Sequence, residues 1–301
     1  MTGREQLENA LAKEGIRWET NVPLSRYTTF RIGGPASLGV FPVSEKEFCR
    51  AWTLAKDFGI PCFVVGNGSD LLADDAGYPG AVFFTGGIRE IAFSGTTVTA
   101  GCGVSLSGLS SEAYRAGLAG LAFAYGIPGS VGGALYMNAG AYGGEIGAVV
   151  SHVTVFDTET KEKKVLSAEE CGFSYRNSVF MHKPYLILSA SFSLTVGDPA
   201  EIRAEMDDHM SARKAKQPLE YPSAGSAFKR YPGYFTAQLI DEAGFKGVSV
   251  GGAQVSEKHA GFIVNRGGAT AEDVRELIRQ IKEKIREKNH IDIECEIIEL
   301  K

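Results

Sequence analysis

Apolar residues recur at helical spacing in some stretches of the chain and at alternate positions in others, and together the two patterns predict an α+β protein. Residues 6–13 read as a short amphipathic helix. Residues 44–58 read as a second, with Ser44 as N-cap, Glu47 completing a capping box and Gly59 as the stop. The apolar run 62–65 reads as a buried strand emptying into a Gly66-Asn67-Gly68-Ser69 turn. Residues 81–100 hold three short β runs, AVFFT, REIAFSG and TTVTAG, with turns at Gly86-Gly87 and Gly95-Thr96. A helical segment over 105–116 and strands over 149–157, 163–166 and 185–194 follow. Asp198 before Pro199 is a helix start, with a carboxylate N-cap and proline at N1. That helix carries Ile202, Met206 and Met210 on one face and ends near Lys216. A last helix, capped by Thr270, sets Val274, Leu277, Ile278, Ile281 and Ile285 on one stripe. A final strand over 291–300 turns Ile291, Ile293, Cys295 and Ile297 inward and Asp292, Glu294 and Glu296 outward.

One stretch departs from both patterns. Residues 116–144 carry no charge and are long enough to cross a bilayer. The density of glycine, the interruption at Pro128 and the polar Ser130 and Asn138 exclude a spanning helix. Gly126, Gly129, Gly132, Gly133, Gly140, Gly143 and Gly144 let backbone approach a ligand closely and offer N–H donors to an anion. The shorter Gly66-Asn67-Gly68-Ser69-Asp70 lacks the third glycine of a dinucleotide fingerprint and an acidic residue at the fitting distance. It reads either as a phosphate-binding turn or as a tight turn leaving a strand.

Composition narrows the function classes. A chain of 301 residues is expected to form two or three domains. Its net charge of −5 with no basic run argues against a nucleic-acid surface, so any anion site is built locally. Cys49, Cys62, Cys102, Cys171 and Cys295 are odd in number and lack C-x-x-C spacing, which points to buried thiols in a reducing compartment rather than disulfides or zinc. No metal-ligand cluster is visible. The N-terminus is charged from Arg4 and lacks the apolar core of a secretory leader, so a cytoplasmic location is expected, with no membrane insertion.

The segments YTTFRIGGPA (27–36), VVGNGSDLL (64–72), GIPGSVGGALYMNAGAYGGE (126–145), YRNSVF (175–180), PSAGSAFKR (222–230), AGFKG (243–247), GGAQVSEKHAGFIVN (251–265) and IECEI (293–297) occur in an order that resembles the UDP-N-acetylenolpyruvylglucosamine reductase family, from about residue 20 onward. The resemblance implies a two-part FAD-binding region of the vanillyl-alcohol-oxidase (PCMH) type over 1–85 and 86–196, and a C-terminal α+β substrate-binding domain over 197–301. It implies bound FAD, NADPH as hydride donor, a nucleotide-sugar substrate and a monomeric enzyme. Tyr27, Thr28, Gly66, Asn67, Gly68, Ser69, Asp70, Gly126, Ile127, Pro128, Gly129, Ser130, Gly133, Asn138 and Gly140 are the implied flavin contacts. Arg176, Ser226 and Glu296 match the family's catalytic positions. The short connection between YRNSVF and Asp198 resembles the short (type II) form, which lacks a tyrosine-bearing substrate loop, and Arg230 stands where the longer form commonly has asparagine.

That chemistry suits these residue types. Hydride delivery to an enolpyruvyl group leaves enolate charge for Arg176 to stabilise, asks for a proton from Ser226 and gives Glu296 a role as a protonated acid. Arg213, Lys216, Lys229 and Lys246 are the cations a diphosphate needs, with His259 on the substrate side. Each residue has a plainer reading. Arg176 could be a surface cation stacked on Tyr175, Ser226 a turn residue, Glu296 part of a solvated sheet face, Arg213 and Lys216 the basic end of a helix, and His259 a satisfied structural histidine. A related FAD-dependent sugar or alcohol oxidase and a non-catalytic nucleotide-sugar sensor are the competing functions.

Overall fold

Three helices begin where the sequence places their caps, at Ser44, Asp198 and Thr270, because each start supplies an oxygen to an N–H group that has no partner inside the helix, whereas the first helix, expected over 6–13, starts earlier, at Gly3, behind a Thr2 cap. Ser44 Oγ accepts from Glu47 N–H at 3.2 Å ahead of the helix Glu45–Asp57, and Ser105 Oγ from Gly108 N–H at 3.1 Å ahead of Leu106–Arg115. Asp198 Oδ1 accepts from Ala200 N–H at 2.7 Å ahead of Pro199–Lys216, and Thr270 Oγ1 from Asp273 N–H at 3.1 Å ahead of Ala271–Asn289. The capping box expected at Ser44 is only half made: the Glu47 carboxylate accepts from Val43 N–H at 3.0 Å. These features come from a computed structural model that describes residues 2–301.

The strands fall into three principal sheets. One has the order Trp18–Pro23, Pro35–Val40, Tyr78–Phe84, Cys62–Val65. The second is antiparallel throughout, in the order Glu162–Ser167, Val150–Asp157, Tyr185–Ser193, Thr97–Gly101, Ile91–Ser94. The third, also antiparallel, runs Ser223–Ser226, Phe262–Asn265, Ala253–Val255, Ser249–Val250.

The chain divides into two compact units that interleave along the sequence. The first holds residues 1–19, 38–67 and 80–212, and the second 20–37, 68–79 and 213–301. The expected segments 1–85 and 86–196 thus fall mainly in the first unit, which also takes residues 197–212. Inside the first unit, Phe192, Leu106, Leu109 and Val131 are fully buried in one core, and Phe48, Phe83 and Leu188 in a second. Inside the second, Val274, Leu277, Ile281 and Ile285 present the expected helical stripe to Phe30, Leu72 and Ile263, while Ile278 is only partly covered. Covering one such side chain stabilises the fold by about 1.5–3 kcal/mol.

Three local expectations change. Residues 291–294 alternate in burial as the pattern required, but Cys295 and Glu296 are both half-buried, and only Ile298–Leu300 is a strand, paired in parallel with Leu71–Ala73. The preceding residues instead meet 227–229, through Lys229 N–H to the Glu294 carbonyl at 3.0 Å and Glu296 N–H to the Ala227 carbonyl at 2.9 Å. The strand Cys62–Val65 is half-covered, with Val65 alone fully buried. All five cysteines are free, but only Cys102 and Cys171 are buried, because Cys49, Cys62 and Cys295 lie at the margins of their cores. No helix among the described residues is long and apolar enough to cross a membrane, and no group of their side chains could hold a metal ion.

Candidate active site

In the first unit the two glycine loops are joined. Asn67 Nδ2 donates to the Pro128 carbonyl at 2.8 Å, and Gly66 packs so closely on Ser130 that a Cβ there would lie 2.1 Å from Ser130 Oγ. Ser130 is buried and accepts from Gly133 N–H at 3.2 Å, starting the short helix Val131–Tyr136. Gly126 takes φ +84° and donates to Ser107 Oγ at 3.1 Å. Beyond the short helix, Gly140–Ala141 and Gly144–Glu145 form a hairpin whose turn residues, Tyr142 and Gly143, both have positive φ, as a type I′ turn requires. Tyr142 stacks on His209 with ring centroids 4.6 Å apart.

Arg176 sits in a second hairpin. Ser174 and Asn177 exchange backbone hydrogen bonds of 3.1 Å each, leaving Tyr175 and Arg176 as the turn, with Arg176 at φ +51°. A non-glycine residue held there is strained, and such strain gathers at functional sites. The plainer reading of this residue is also visible, since its guanidinium carbon lies 5.4 Å from the Tyr175 ring centroid. Asn138, expected as a flavin contact, spends its side chain inside the protein: Nδ2 donates to Glu145 Oε2 at 2.9 Å and to the Ser174 carbonyl at 3.0 Å, and Oδ1 accepts from Gly147 N–H at 3.0 Å.

In the second unit, Gly68 at φ +59° lies against the Tyr27 carbonyl, where a Cβ would be 2.0 Å away. Thr28 is buried and donates to the Ile32 carbonyl at 3.1 Å. Thr29, not among the expected contacts, donates its N–H to the Gly68 carbonyl at 3.0 Å and its Oγ1 hydrogen to the Ser223 carbonyl at 2.6 Å. It thereby ties this loop to the strand that carries Ser226. That strand is irregular between Ser223 and Ser226, with Gly225 at φ +75°, and such a break re-aims the side chain that follows it. Because Glu296 N–H bonds the Ala227 carbonyl and Phe228 bridges Cys295, Ser226 and Glu296 stand on paired neighbouring segments.

Three of the expected cations of this unit have partners of their own within the protein. Arg213 is buried, with Nη1 on Gln217 Oε1 at 3.0 Å, and Lys216 is exposed. Lys229 pairs with Glu294 at 3.2 Å and Lys246 with Asp241 at 2.5 Å. His259 accepts from Gly261 N–H through Nδ1 at 3.1 Å, and burial lowers its pKa, with nearby Lys246 adding to the effect. Arg230 lies 5.9 Å from the Phe235 ring centroid.

Comparison with known proteins names the fold these loops belong to. The profile described as UDP-N-acetylenolpyruvoylglucosamine reductase, C-terminal domain, matches residues 217–300, and one described as FAD binding domain matches residues 36–165. The UDP-N-acetylenolpyruvoylglucosamine reductase of Clostridium novyi is 45% identical over 293 residues, which cover 97% of this chain and 94% of that protein. The chain belongs to the UDP-N-acetylenolpyruvoylglucosamine reductase family. A crystal structure of such a reductase from Thermus caldophilus is similar with a TM-score of 0.82 at 38% identity, over 95% of this chain and all of that one. Cholesterol oxidase from Brevibacterium sterolicum, at 13% identity and a TM-score of 0.50 over 61% of this chain and 38% of that one, shares the fold alone.

The loops fit the cofactor that the reductase family's FAD binding domain implies. Among the described residues, the backbone N–H groups of Asn67, Gly68, Ser69, Gly129 and Ser130 donate to no backbone carbonyl. Backbone N–H groups without a carbonyl partner are what a pyrophosphate needs. The side chains of Thr28, Ser130 and Asn138, by contrast, are committed to holding the loops themselves.

Proposed function

We propose that the chain reduces UDP-N-acetylenolpyruvylglucosamine to UDP-N-acetylmuramate in peptidoglycan synthesis, as a cytoplasmic monomer using FAD and NADPH. When bound, FAD would supply the hydride chemistry that links NADPH to the distal carbon of the enolpyruvyl group. Asn67 to Asp70, with Tyr27 and Thr28, and Gly126 to Gly133, with Gly140, hold the cofactor through backbone. The Arg176 guanidinium stabilises the enolate charge that grows on the substrate carboxylate. The Ser226 hydroxyl gives its proton to the carbon beside that carboxylate and regains one from water. Glu296 assists at the enol oxygen, and Arg213, Lys216, Lys229, Lys246 and His259 receive the nucleotide.

The observation that carries the reading is the pairing of residues 227–229 with 294–296, which sets the segment that follows Ser226 beside the one that carries Glu296. The test is direct. Purified protein is expected to be yellow, to bleach with NADPH and to regain its colour when the enolpyruvyl nucleotide is added. Ser226→Ala should bleach normally and lose the return of colour by 10²-fold or more, roughly the contribution of a positioned acid. Oxygen uptake without a nicotinamide requirement would favour an oxidase instead, and a colourless protein that still binds UDP-sugar would favour a sensor.

A further inference from the structure

We propose that Asn138 is a positioning residue for Arg176, and that its carboxamide serves the second half of the reaction rather than the cofactor. The proposal rests on the function proposed above.

Two legs support the Arg176 turn, and both are held by the end of the helix Val131–Tyr136 and the residues just after it. At the leading leg, Asn138 Nδ2 donates to the Ser174 carbonyl at 3.0 Å. At the trailing leg, Ser178, fully buried, donates from Oγ to the Tyr136 carbonyl at 2.6 Å. Within the turn, Asn177 Nδ2 donates to Ser174 Oγ at 3.2 Å, and His182 Nε2 lies 2.8 Å from Asn177 Oδ1. The arginine backbone at φ +51° therefore depends on contacts outside its own sequence.

Asn138 is suited to this and to little else. It is buried, stands at φ +47°, a conformation asparagine tolerates better than most residues, and uses both amide hydrogens and its oxygen on Ser174, Glu145 and Gly147. Glu145 fixes which way the carboxamide faces, because a carboxylate accepts and never donates. The amide nitrogen is thus turned toward the Ser174 carbonyl. An error of about 1 Å at the guanidinium is enough to cost roughly 10²-fold in rate.

Asn138→Asp keeps the size and the left-handed tolerance, retains the acceptor for Gly147 and removes both donors. Its expected effect is a loss of 10- to 100-fold in the rate at which the enolpyruvyl nucleotide restores flavin colour, with FAD content and the rate of bleaching by NADPH within about twofold of the parent. The same substitution placed on Arg176→Lys should add less than about twofold, since a residue that acts through another loses its effect when that residue is already impaired. Asn138→Gly, which accepts the same φ and brings no charge against Glu145, is read by the same cycle in case the aspartate variant does not fold.

Loss of FAD, equal slowing of both half-reactions, or an undiminished penalty on Arg176→Lys would each overturn the proposal. So would parental return of colour in the folded variants. If the parent protein binds flavin and bleaches but never regains colour with the enolpyruvyl nucleotide, the functional reading itself fails and the proposal falls with it.

Discussion

A Cβ built on Gly66 would lie 2.1 Å from Ser130 Oγ and 3.1 Å from Ser130 Cβ, so the two glycine loops of the first unit meet through a contact that only a missing side chain permits. Gly66→Ala should push the loops apart and lower FAD affinity by tenfold or more, the effect of about 1.4 kcal/mol. Ser130→Gly removes both offending atoms, and glycine costs only a few tenths of a kcal/mol as an N-cap. The double variant should therefore regain flavin that the single variant loses, read as visible absorbance per protein. Gly68→Ala offers the contrast: at φ +59° its Cβ would meet the Tyr27 carbonyl at 2.0 Å, backbone that no second substitution can trim. A double variant no better than Gly66→Ala alone would show that the contact is not what makes glycine necessary.

A second relationship lies within the C-terminal unit. Asp75 accepts from Ala271 N–H at 2.9 Å and from Glu272 N–H at 3.2 Å, so a carboxylate from far along the chain caps the helix Ala271–Asn289 in addition to Thr270. Beside it, Asp74 pairs with Arg275 at 2.5 Å. Asp75→Ala should destabilise the protein by about 1 kcal/mol, the usual worth of a cap, seen as a lower urea midpoint with an unchanged slope. Asp75→Asn, which keeps an acceptor oxygen, should lose less.

The fold was legible wherever local chemistry decides it. Ser44, Asp198 and Thr270 cap the helices expected of them, and Ile281 and Ile285 lie on the buried face that their spacing implied. What failed to show was partnership between distant residues. The alternation over 291–297 looks like a strand, but its hydrogen bonds with Lys229 and Ala227 make an isolated bridge at Phe228 and Cys295 rather than a sheet. Asn138 is polar in an uncharged loop, which suggests a ligand, whereas its partners come from two other segments, Glu145 and Gly147 from one and Ser174 from the other. Thr29 sits inside YTTFRIGGPA with nothing to distinguish it from Thr28, and only its reach to the Ser223 carbonyl does so. Motif order identified the Ser226 and Glu296 segments, while their pairing through Phe228 and Cys295 depends on topology.

Acid sensitivity should centre on Asp157. Its carboxylate accepts from Lys164 Nζ at 2.6 Å and from the N–H groups of Thr160 and Glu159, which lower its pKa to about 2, the lysine contributing most. An unfolded aspartate titrates near about 3.9. Because the folded value is the lower one, the stabilisation is complete above the unfolded value and disappears as the pH falls toward 2. Asp157→Asn should be less stable than the parent at neutral pH, with the two curves of thermal midpoint against pH converging below about 4. Parallel curves across that range would show that the carboxylate contributes nothing through its charge.

His259 is expected to titrate in the opposite part of the range that matters for activity. Burial lowers its pKa, the Gly261 N–H needs an unprotonated Nδ1, and Lys246 disfavours a second positive charge nearby. The proton of the neutral ring is therefore on Nε2, and the ring stands at 77° to that of Phe262 with centroids 5.0 Å apart. An unfolded histidine titrates near about 6.5, so the folded protein binds this proton later than the unfolded chain, and stability falls as the pH drops below that value. Histidine resonances followed by NMR should give His259 a midpoint under about 6.5, and a midpoint at or above it would contradict the buried neutral ring. If His259 also faces the nucleotide, His259→Gln should raise KM for the enolpyruvyl substrate while leaving the rate of flavin bleaching by NADPH unchanged. An unchanged KM would return His259 to a purely structural role beside Gly261.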